Sequence, residues 1–323
     1  MESRTDLSVL VCRPFVALLW TQITFSPRLA EAAVFQSTLF MLLRAFAKIN
    51  LDLQILGRRD DGYHEIRTIF QAVDWFDEIS LSHANQFEFS APGTPEDETN
   101  LVVRAVRAYE RLSGITAKVR IHVKKNIPVG RGLGGGSSDA ATTFIGLQRL
   151  FKLPLAFDQV PQVLRELGSD VPFFALGGRA AGYGRGDEVF KLDDAADYWV
   201  LVVDPDVMIR TGEAYSWLTV PDKSNTIEGF RAETDAGCRG DVWTNDFEGP
   251  VFARYPELAK IKEELIDLGA YRAALSGSGS AIFGQFQLVS DAIRAGSAME
   301  RRFRVKLAKP LPRWEYFQKI AED

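Results

Sequence analysis

The chain has 323 residues, enough for two domains of ordinary size and a well-buried core. Apolar and charged fractions of 46% and 25% are those of a soluble globular protein, and a net charge of −5 gives no general basis for binding nucleic acid. Two distant cysteines, Cys12 and Cys238, form neither a disulfide framework nor a metal cluster, and His64, His83 and His122 lack zinc-site spacing. A reducing, cytoplasmic setting is the expectation.

Residues 1–40 differ in character. Leu7 to Phe25 is apolar but broken by Arg13 and Pro14, a poor membrane span. Glu2 and Asp6 stand where a signal peptide carries positive charge. Because Met41 immediately precedes the first regular strand, we read 1–40 as dispensable, the product of a start codon placed too early. A targeting or anchoring segment is the alternative.

Strict alternation from Ala47 to Leu56 predicts a half-buried strand, with Ala47, Ile49, Leu51, Leu53 and Ile55 on one face. Lys48, Asn50, Asp52 and Gln54 occupy the other, which sets Lys48 and Asn50 about 6.5–7 Å apart. A solvated sheet face is the plain interpretation of that polar row. An Asp61-Gly62 turn leads to a second strand near Ile66 to Val73, so Tyr63 and His64 fall just after a tight turn. Such a pair suits stacking on a planar ligand, or simply packing. Short strands follow over Phe76 to Leu81 and Phe87 to Ser90. Asp97-Glu98-Thr99 opens a helix, and Val119, Ile121 and Val123 mark another strand.

That strand leads into NIPVGRGLGGGSSDAATTF, Asn126 to Phe144, with five glycines in seven residues. Glycines let backbone N–H groups curl toward a ligand, and serines at a helix start add hydroxyls beside the positive end of its dipole. The construction suits a polyphosphate. Gly130-x-Gly132-x-x-Gly135 formally matches a dinucleotide fingerprint, but the acidic strand end expected about twenty residues on is absent. Nor is there a Walker Gly-Lys-Ser/Thr, or the HRD and DFG elements of a protein kinase.

A further helix is expected over Phe157 to Leu167, ended by Gly168, after which Ser169-Asp170-Val171-Pro172 holds Asp170 in a loop. A cap or turn role is the commoner one for such an aspartate. Gly177 to Gly186 reads as closely packed strands. Beyond Val189 come a buried strand (Trp199 to Val203), a polar loop (Pro221 to Gly240), a helix (Phe252 to Leu268) and a strand pair joined by Ser276 to Ser280. A helix near Ser290 to Phe303 and a strand from Val305 complete a small sandwich of the split βαβ kind. Phosphoryl transfer requires a cation and a proton acceptor besides the loop. Lys48 and Asp170 are the candidates.

The set AFAKINLDLQILGRRDDGYHEIRTIFQAVD, PVGRGLGGGSSDAA, LGSDVPFF and LSGSGSAIFGQF, in this order from Met41 on, resembles the GHMP small-molecule kinase superfamily. GRRDDGYH paired with LGSDVPFF narrows the likeness to the members acting on 4-diphosphocytidyl-2-C-methyl-D-erythritol, in the non-mevalonate (MEP) isoprenoid pathway. The resemblance implies a two-domain α/β (α+β) fold. Its ribosomal-S5-like N-terminal domain would cover 41–189 and its ferredoxin-like C-terminal domain 190–323, with residues 1–40 an extension. It implies ATP and Mg2+ as cofactors, transfer to the substrate's 2-hydroxyl, no nucleic-acid or membrane partner, and a monomer or homodimer. By motif position, Asp170 would be the catalytic base and Lys48 its partner. Asn50, Tyr63 and His64 would bind the substrate, with Tyr63 stacked on the cytosine. Val129, Gly130, Arg131, Gly132, Leu133, Gly134, Gly135, Gly136, Ser137, Ser138 and Asp139 would wrap the ATP phosphates. Ser137 and Ser138 would lie nearest Mg2+, and Gly277, Ser278 and Gly279 would close the site from the C-terminal domain. Arg131 departs from a position expected to be small or uncharged, and would reach a phosphate or point to solvent. Asp139 adds negative charge near the anion site and suits the helix dipole.

Overall fold

The computed structural model describes residues 40–153, 155, 158–194, 197–219 and 243–321. The stretches Leu7 to Phe25 and Pro221 to Gly240 lie outside them. Two long strands form the spine of the first sheet: β1 (Phe40–Arg58) and β2 (His64–His83) pair antiparallel from Phe40 opposite Ser82 to Arg58 opposite His64. The strands expected over 66–73 and 76–81 are one strand, and β1 extends beyond 47–56 at both ends. Register shifts after Phe46, Asn50 and Ile55 account for the difference, because a bulge interrupts alternation without ending the pairing.

β3 (Glu88–Ser90), α1 (Leu101–Ser113) and β4 (Val119–Lys124) follow. The Asn100 side chain caps α1 by accepting from the Val102 N–H, so the helix starts later than the expected Asp97. Then α2 (Gly135–Phe151) runs through the middle of the domain, buried on nearly every side. Gly146 permits its close approach to the sheet, since a Cβ there would stand 2.5 Å from Leu43 Cδ1. Next come α3 (Val160–Leu167), α4 (Val171–Leu176), β5 (Arg179–Tyr183) and β6 (Glu188–Lys191). The sheet order is β3-β4-β2-β5-β6, with β1 alone along the other edge of β2. That edge is covered rather than exposed: Lys48 N–H donates to the Leu133 carbonyl at 3.0 Å and Leu53 N–H to the Thr244 carbonyl at 2.8 Å.

The second domain contains β7 (Trp199–Asp204), α5 (Thr211–Ser216), α6 (Glu248–Arg254), α7 (Pro256–Asp267), β8 (Arg272–Leu275), β9 (Ile282–Phe286), α8 (Val289–Met299) and β10 (Arg304–Ala308). Its antiparallel sheet has the order β10-β7-β9-β8. Strand β9 lies between β7 and β8, which is the split βαβ arrangement expected from sequence. The single helix expected over 252–268 is two, broken at Tyr255, because Pro256 cannot donate a helical hydrogen bond. Between the domains lies an apolar layer in which Ala47, Ile49 and Leu51 of β1 pack with Val200, Val202 and Phe283 of the second sheet.

The final helix, α9 (Arg313–Lys319), has no counterpart in the sequence reading and returns to the first domain. Tyr316 is fully buried there, 5.4 Å from the Phe46 ring, and its hydroxyl donates to the Phe174 carbonyl at 2.7 Å. The Arg313 guanidinium donates to the carbonyls of Leu176, Gly177 and Arg179. The expected division into 41–189 and 190–323 is corrected accordingly: β6 reaches Lys191 within the first sheet, and Leu311, Tyr316 and Ile320 join the first core. A helix this short carries too little periodicity to announce which core it joins.

Candidate active site

A cleft of about 830 Å3 opens between the domains, and residues from both line it. On its floor β1 presents Lys48 and Asn50, only 3% and 2% exposed. The solvated-face interpretation of that polar row is therefore corrected. The second sheet packs on Ala47, Ile49 and Leu51, whereas Lys48 and Asn50 lie among Thr68, Asp170 and the glycine loops. Backbone at two glycines approaches Lys48 where side chains would not fit comfortably. A Cβ at Gly134 would come within 3.1 Å of Lys48 Cγ, and one at Gly277 within 3.3 Å of Nζ.

Asp170 sits directly before α4, whose Pro172 falls in the first turn. Its Oδ2 lies 3.5 Å from Lys48 Nζ. The same ammonium donates to Asn50 Oδ1 at 2.5 Å, Asn50 Nδ2 donates to Thr68 Oγ1 at 2.7 Å, and the Thr68 hydroxyl donates to the Asp52 carbonyl at 2.6 Å. This chain fixes which way the Asn50 amide points. Burial lowers the Lys48 ammonium below its ordinary 10.5, against the pull of Asp170, which favours the charged form.

One end of the cleft is aromatic. The His64 ring stacks on Tyr215 of α5 at 4.8 Å and 24°, and Phe247 meets Tyr215 edge-on at 4.9 Å. Burial, with Arg58 adding, lowers His64 below its ordinary 6.5, so near neutral pH it offers one donor and one acceptor. Burial raises the Tyr215 hydroxyl to about 12 and keeps it protonated. Tyr63 is 53% exposed, with the Arg185 guanidinium 4.9 Å over its ring. Tyr215 escaped the sequence reading because α5 is too short to show a pattern. Asn245 escaped it too, although its amide donates to the carbonyls of Leu275 and Gly277 at 2.8 Å and shapes the 276–280 turn.

The glycine loop closes over this floor. Gly130, Gly132 and Gly134 all take positive φ, near 71–74°. At Gly132 the requirement is steric as well, because a Cβ would fall 2.0 Å from the Ser276 carbonyl oxygen. Of the loop residues, Gly132 and Ser137 line the cleft, joined from the second domain by Gly277 and Ser278. Leu133 packs in the layer between domains, and Val129 is exposed.

Three expectations for side chains here are corrected. Ser138 does not share the orientation of Ser137. Successive helical residues point about 100° apart, and the Ser138 hydroxyl is buried with no hydrogen-bond partner among the described residues. Arg131 reaches neither phosphate nor solvent; it is buried against Asp204 and Asp206. Asp139 faces away from the cleft and accepts from Lys125 Nζ at 2.6 Å, and that ammonium also bonds Asp77. Asp77 is occupied besides by the N–H groups of Asn126 and Ile127. Burial, with the Asp77 charge adding, raises the Asp139 carboxyl to about 7 against the pull of Lys125.

No three His, Cys, Asp or Glu side chains among the described residues converge as a metal site. Hard oxygens lining the cleft include the Ser137 hydroxyl and the Asp170 carboxylate. They fit Mg2+ in the usual manner of a nucleotide-borne ion, which draws most of its ligands from phosphate and water.

A buried lysine paired with a half-buried aspartate between two glycine loops, at an interdomain cleft with an aromatic end, defines a small-molecule phosphotransferase site. Residues 100–178 match the GHMP kinases N terminal domain, and residues 224–305 match GHMP kinases C terminal. A 4-diphosphocytidyl-2-C-methyl-D-erythritol kinase of Solibacter usitatus is 43% identical over 76% of this chain and 81% of that protein. One from Chlorobium phaeobacteroides is 37% identical over 83% and 94%. A crystal structure of a 4-(cytidine 5'-diphospho)-2C-methyl-D-erythritol kinase, 33% identical, aligns with a TM-score of 0.72 over 83% of this chain and 98% of that one. L. major mevalonate kinase, 13% identical at a TM-score of 0.61 over 87% and 99%, shares the fold alone. The chain belongs to the 4-diphosphocytidyl-2-C-methyl-D-erythritol kinase family of the GHMP kinases.

Proposed function

We propose that this protein transfers the γ-phosphate of ATP to the 2-hydroxyl of 4-diphosphocytidyl-2-C-methyl-D-erythritol, giving the 2-phosphate and ADP, a step of the non-mevalonate route to isoprenoid precursors. The observation that carries the reading is the 3.5 Å approach of Lys48 to Asp170 on the cleft floor, between the glycine loops and the aromatic end. Named relatives 43% and 37% identical over most of the chain support the choice of acceptor.

In this mechanism the acceptor's cytosine lies at the aromatic end, with Tyr63 and Tyr215 offering ring faces and His64 one donor and one acceptor. Asn50, its amide fixed by Thr68, holds the methylerythritol portion. The 2-hydroxyl donates its proton to the Asp170 carboxylate as its oxygen attacks the γ-phosphorus, and the bond from that phosphorus to the bridging oxygen of ADP breaks. The Lys48 ammonium pairs with Asp170 at 3.5 Å and offsets charge on the oxygens in transit. The N–H groups of the glycine loop and the start of α2 hold the donor phosphates. Mg2+, carried in on the nucleotide, would neutralise phosphate charge beside Ser137.

The test combines purified protein, ATP, Mg2+ and the diphosphocytidyl substrate, following ADP and the phosphorylated product by chromatography and phosphorus NMR. A 2-phosphate formed at the rate of ADP release is the expected result. Turnover of homoserine or mevalonate in its place would overturn the reading.

A further inference from the structure

The glycine loop is fastened to the second domain at one charged point to which the reaction assigns no task. Arg131 turns away from the cleft and is 7% exposed. Its Nε donates to Asp204 Oδ1 at 2.9 Å and its Nη2 to Asp206 Oδ1 at 2.8 Å, while Nη1 is buried without a hydrogen-bond partner among the described residues. Asp204 ends β7 in the interior. The Asp206 side chain, 95% exposed, reaches back from a left-handed backbone position at φ 56°, and its own N–H donates to Asp204 Oδ1 at 3.0 Å. Hydrogen bonds between guanidinium and carboxylate are strong and directional, so this clasp defines where the loop sits against β7.

Backbone contacts around it act in the same sense. The Arg131 carbonyl accepts from the Ala281 N–H at 3.2 Å, and the Gly132 carbonyl accepts from the Ser276 hydroxyl at 2.9 Å. The Ser280 hydroxyl in turn donates to the Val207 carbonyl.

The segment held in this way leads straight to the acceptor end of the cleft. Residues 205–210 join Asp204 to α5, which carries Thr211 and Tyr215 to the cleft wall, with Tyr215 stacked on His64. Ser278 of the closing turn meets Thr211, hydroxyl to hydroxyl, at 3.3 Å. One arginine thus joins the loop that cradles the donor to the segment that places the aromatic platform for the acceptor.

We propose that Arg131 is a positioning residue that couples the nucleotide loop to α5 through Asp204 and Asp206, so that nucleotide and cytidine acceptor each tighten the binding of the other. The inference rests on the function proposed above. A ligand that draws the loop into one arrangement draws residues 204–210 and α5 with it, and thermodynamic linkage makes the effect equal in both directions.

Calorimetric titration of the full chain with a non-hydrolysable ATP analogue, alone and with saturating 4-diphosphocytidyl-2-C-methyl-D-erythritol, tests this. In the natural chain the acceptor tightens analogue binding by about tenfold, within the usual range for coupled sites. Arg131→Ala brings that factor close to unity, and Arg131→Lys recovers part of it. Asp206→Asn alters a carboxylate at the surface, lowering the factor while Tm stays unchanged, a result that a purely structural role does not produce. If Arg131→Ala fails to fold, Asp206→Asn decides. A factor near unity in the natural chain, or an undiminished factor in either Arg131→Ala or Asp206→Asn, overturns the proposal. Failure of the natural chain to bind the acceptor at all overturns the functional reading and this inference together, whereas acceptor binding without coupling overturns the inference alone.

Discussion

Lys48 and Asp170 meet on the cleft floor at 3.5 Å, one from a strand near the start of the described chain and the other from the turn before a short helix. Their environments differ: the lysine side chain is 4% exposed and the aspartate 32%. In the proposed mechanism the group that would take the proton is thus open to substrate, and the group that would supply charge is held in the interior. Asp170→Asn preserves the shape and removes the proton acceptor. It is expected to lower kcat by about 10²–10⁴ while binding of an ATP analogue stays close to natural, the usual loss for a missing general base. Near-normal turnover in steady-state assays would remove Asp170 from the mechanism.

The Lys48 ammonium, lowered by burial, gives a pH dependence of definite sign. Activity that requires the cation declines on the alkaline side before pH 10.5 is reached. Stability moves the other way. Between the lowered folded value and 10.5 the unfolded chain retains a proton that the folded chain has lost, so the Lys48 contribution to stability rises with pH across that window. Lys48→Met is expected to be inactive and to lack this rise, as read from urea denaturation at mildly and strongly alkaline pH. A Lys48→Met protein with the natural slope would contradict the assignment.

At Asp139 the sign is opposite. Its carboxyl is raised by burial to about 7, so from the ordinary carboxylate value of 3.8 up to that point the folded chain binds the extra proton. Stability from this group is present at low pH and lost as pH rises toward and through 7. Asp139→Asn keeps a neutral partner for Lys125 and removes the titration. Its Tm relative to the natural chain should improve between pH 5 and pH 8. A difference independent of pH would show that Asp139 is ionised throughout.

Tyr215 lines the aromatic end of the cleft, stacked on His64, where the proposed mechanism places the acceptor. Loss of one base–aromatic stacking contact costs about 1–3 kcal/mol. Tyr215→Ala should therefore raise KM for the acceptor, leave KM for ATP much less affected, and be largely rescued by Tyr215→Phe. Equal effects on both Michaelis constants would place the ring outside the acceptor site.

The last helix supports the catalytic elements from behind, since Tyr316 touches Phe46 on β1 and bonds the Phe174 carbonyl of α4. Tyr316→Phe strands a buried acceptor, at a cost of about 1–3 kcal/mol. Tyr316→Ala opens a cavity as well and should cost about 3–5 kcal/mol. Equilibrium denaturation that ranks the two variants the other way would exclude this role.

Much of the chain is legible locally. Alternation over 47–56 and 119–123, the Asp61-Gly62 turn and the glycine run before an apolar helix each arise from interactions a few residues long, so they identify strands, hairpin and glycine loop without further information. Alternation also divides β1 correctly into an apolar and a polar row. It cannot tell a row facing water from one facing a buried cleft, because both are polar. For that reason the row containing Lys48 and Asn50 reads as solvated, whereas both lie buried on the cleft floor.

The sequence by itself determined the longer strands and most of the longer helices, the position of the glycine loop and, through four motifs in order, the family. Tertiary structure alone decided that Lys48 faces Asp170, that Arg131 spans to Asp204 and Asp206, that Ser137 rather than Ser138 opens to the cleft, and that α9 closes the first core. The division is physical. Periodicity and turn chemistry report the backbone preferences of neighbours in sequence, whereas ion pairing, burial and pKa depend on side chains brought together by packing across the interdomain layer.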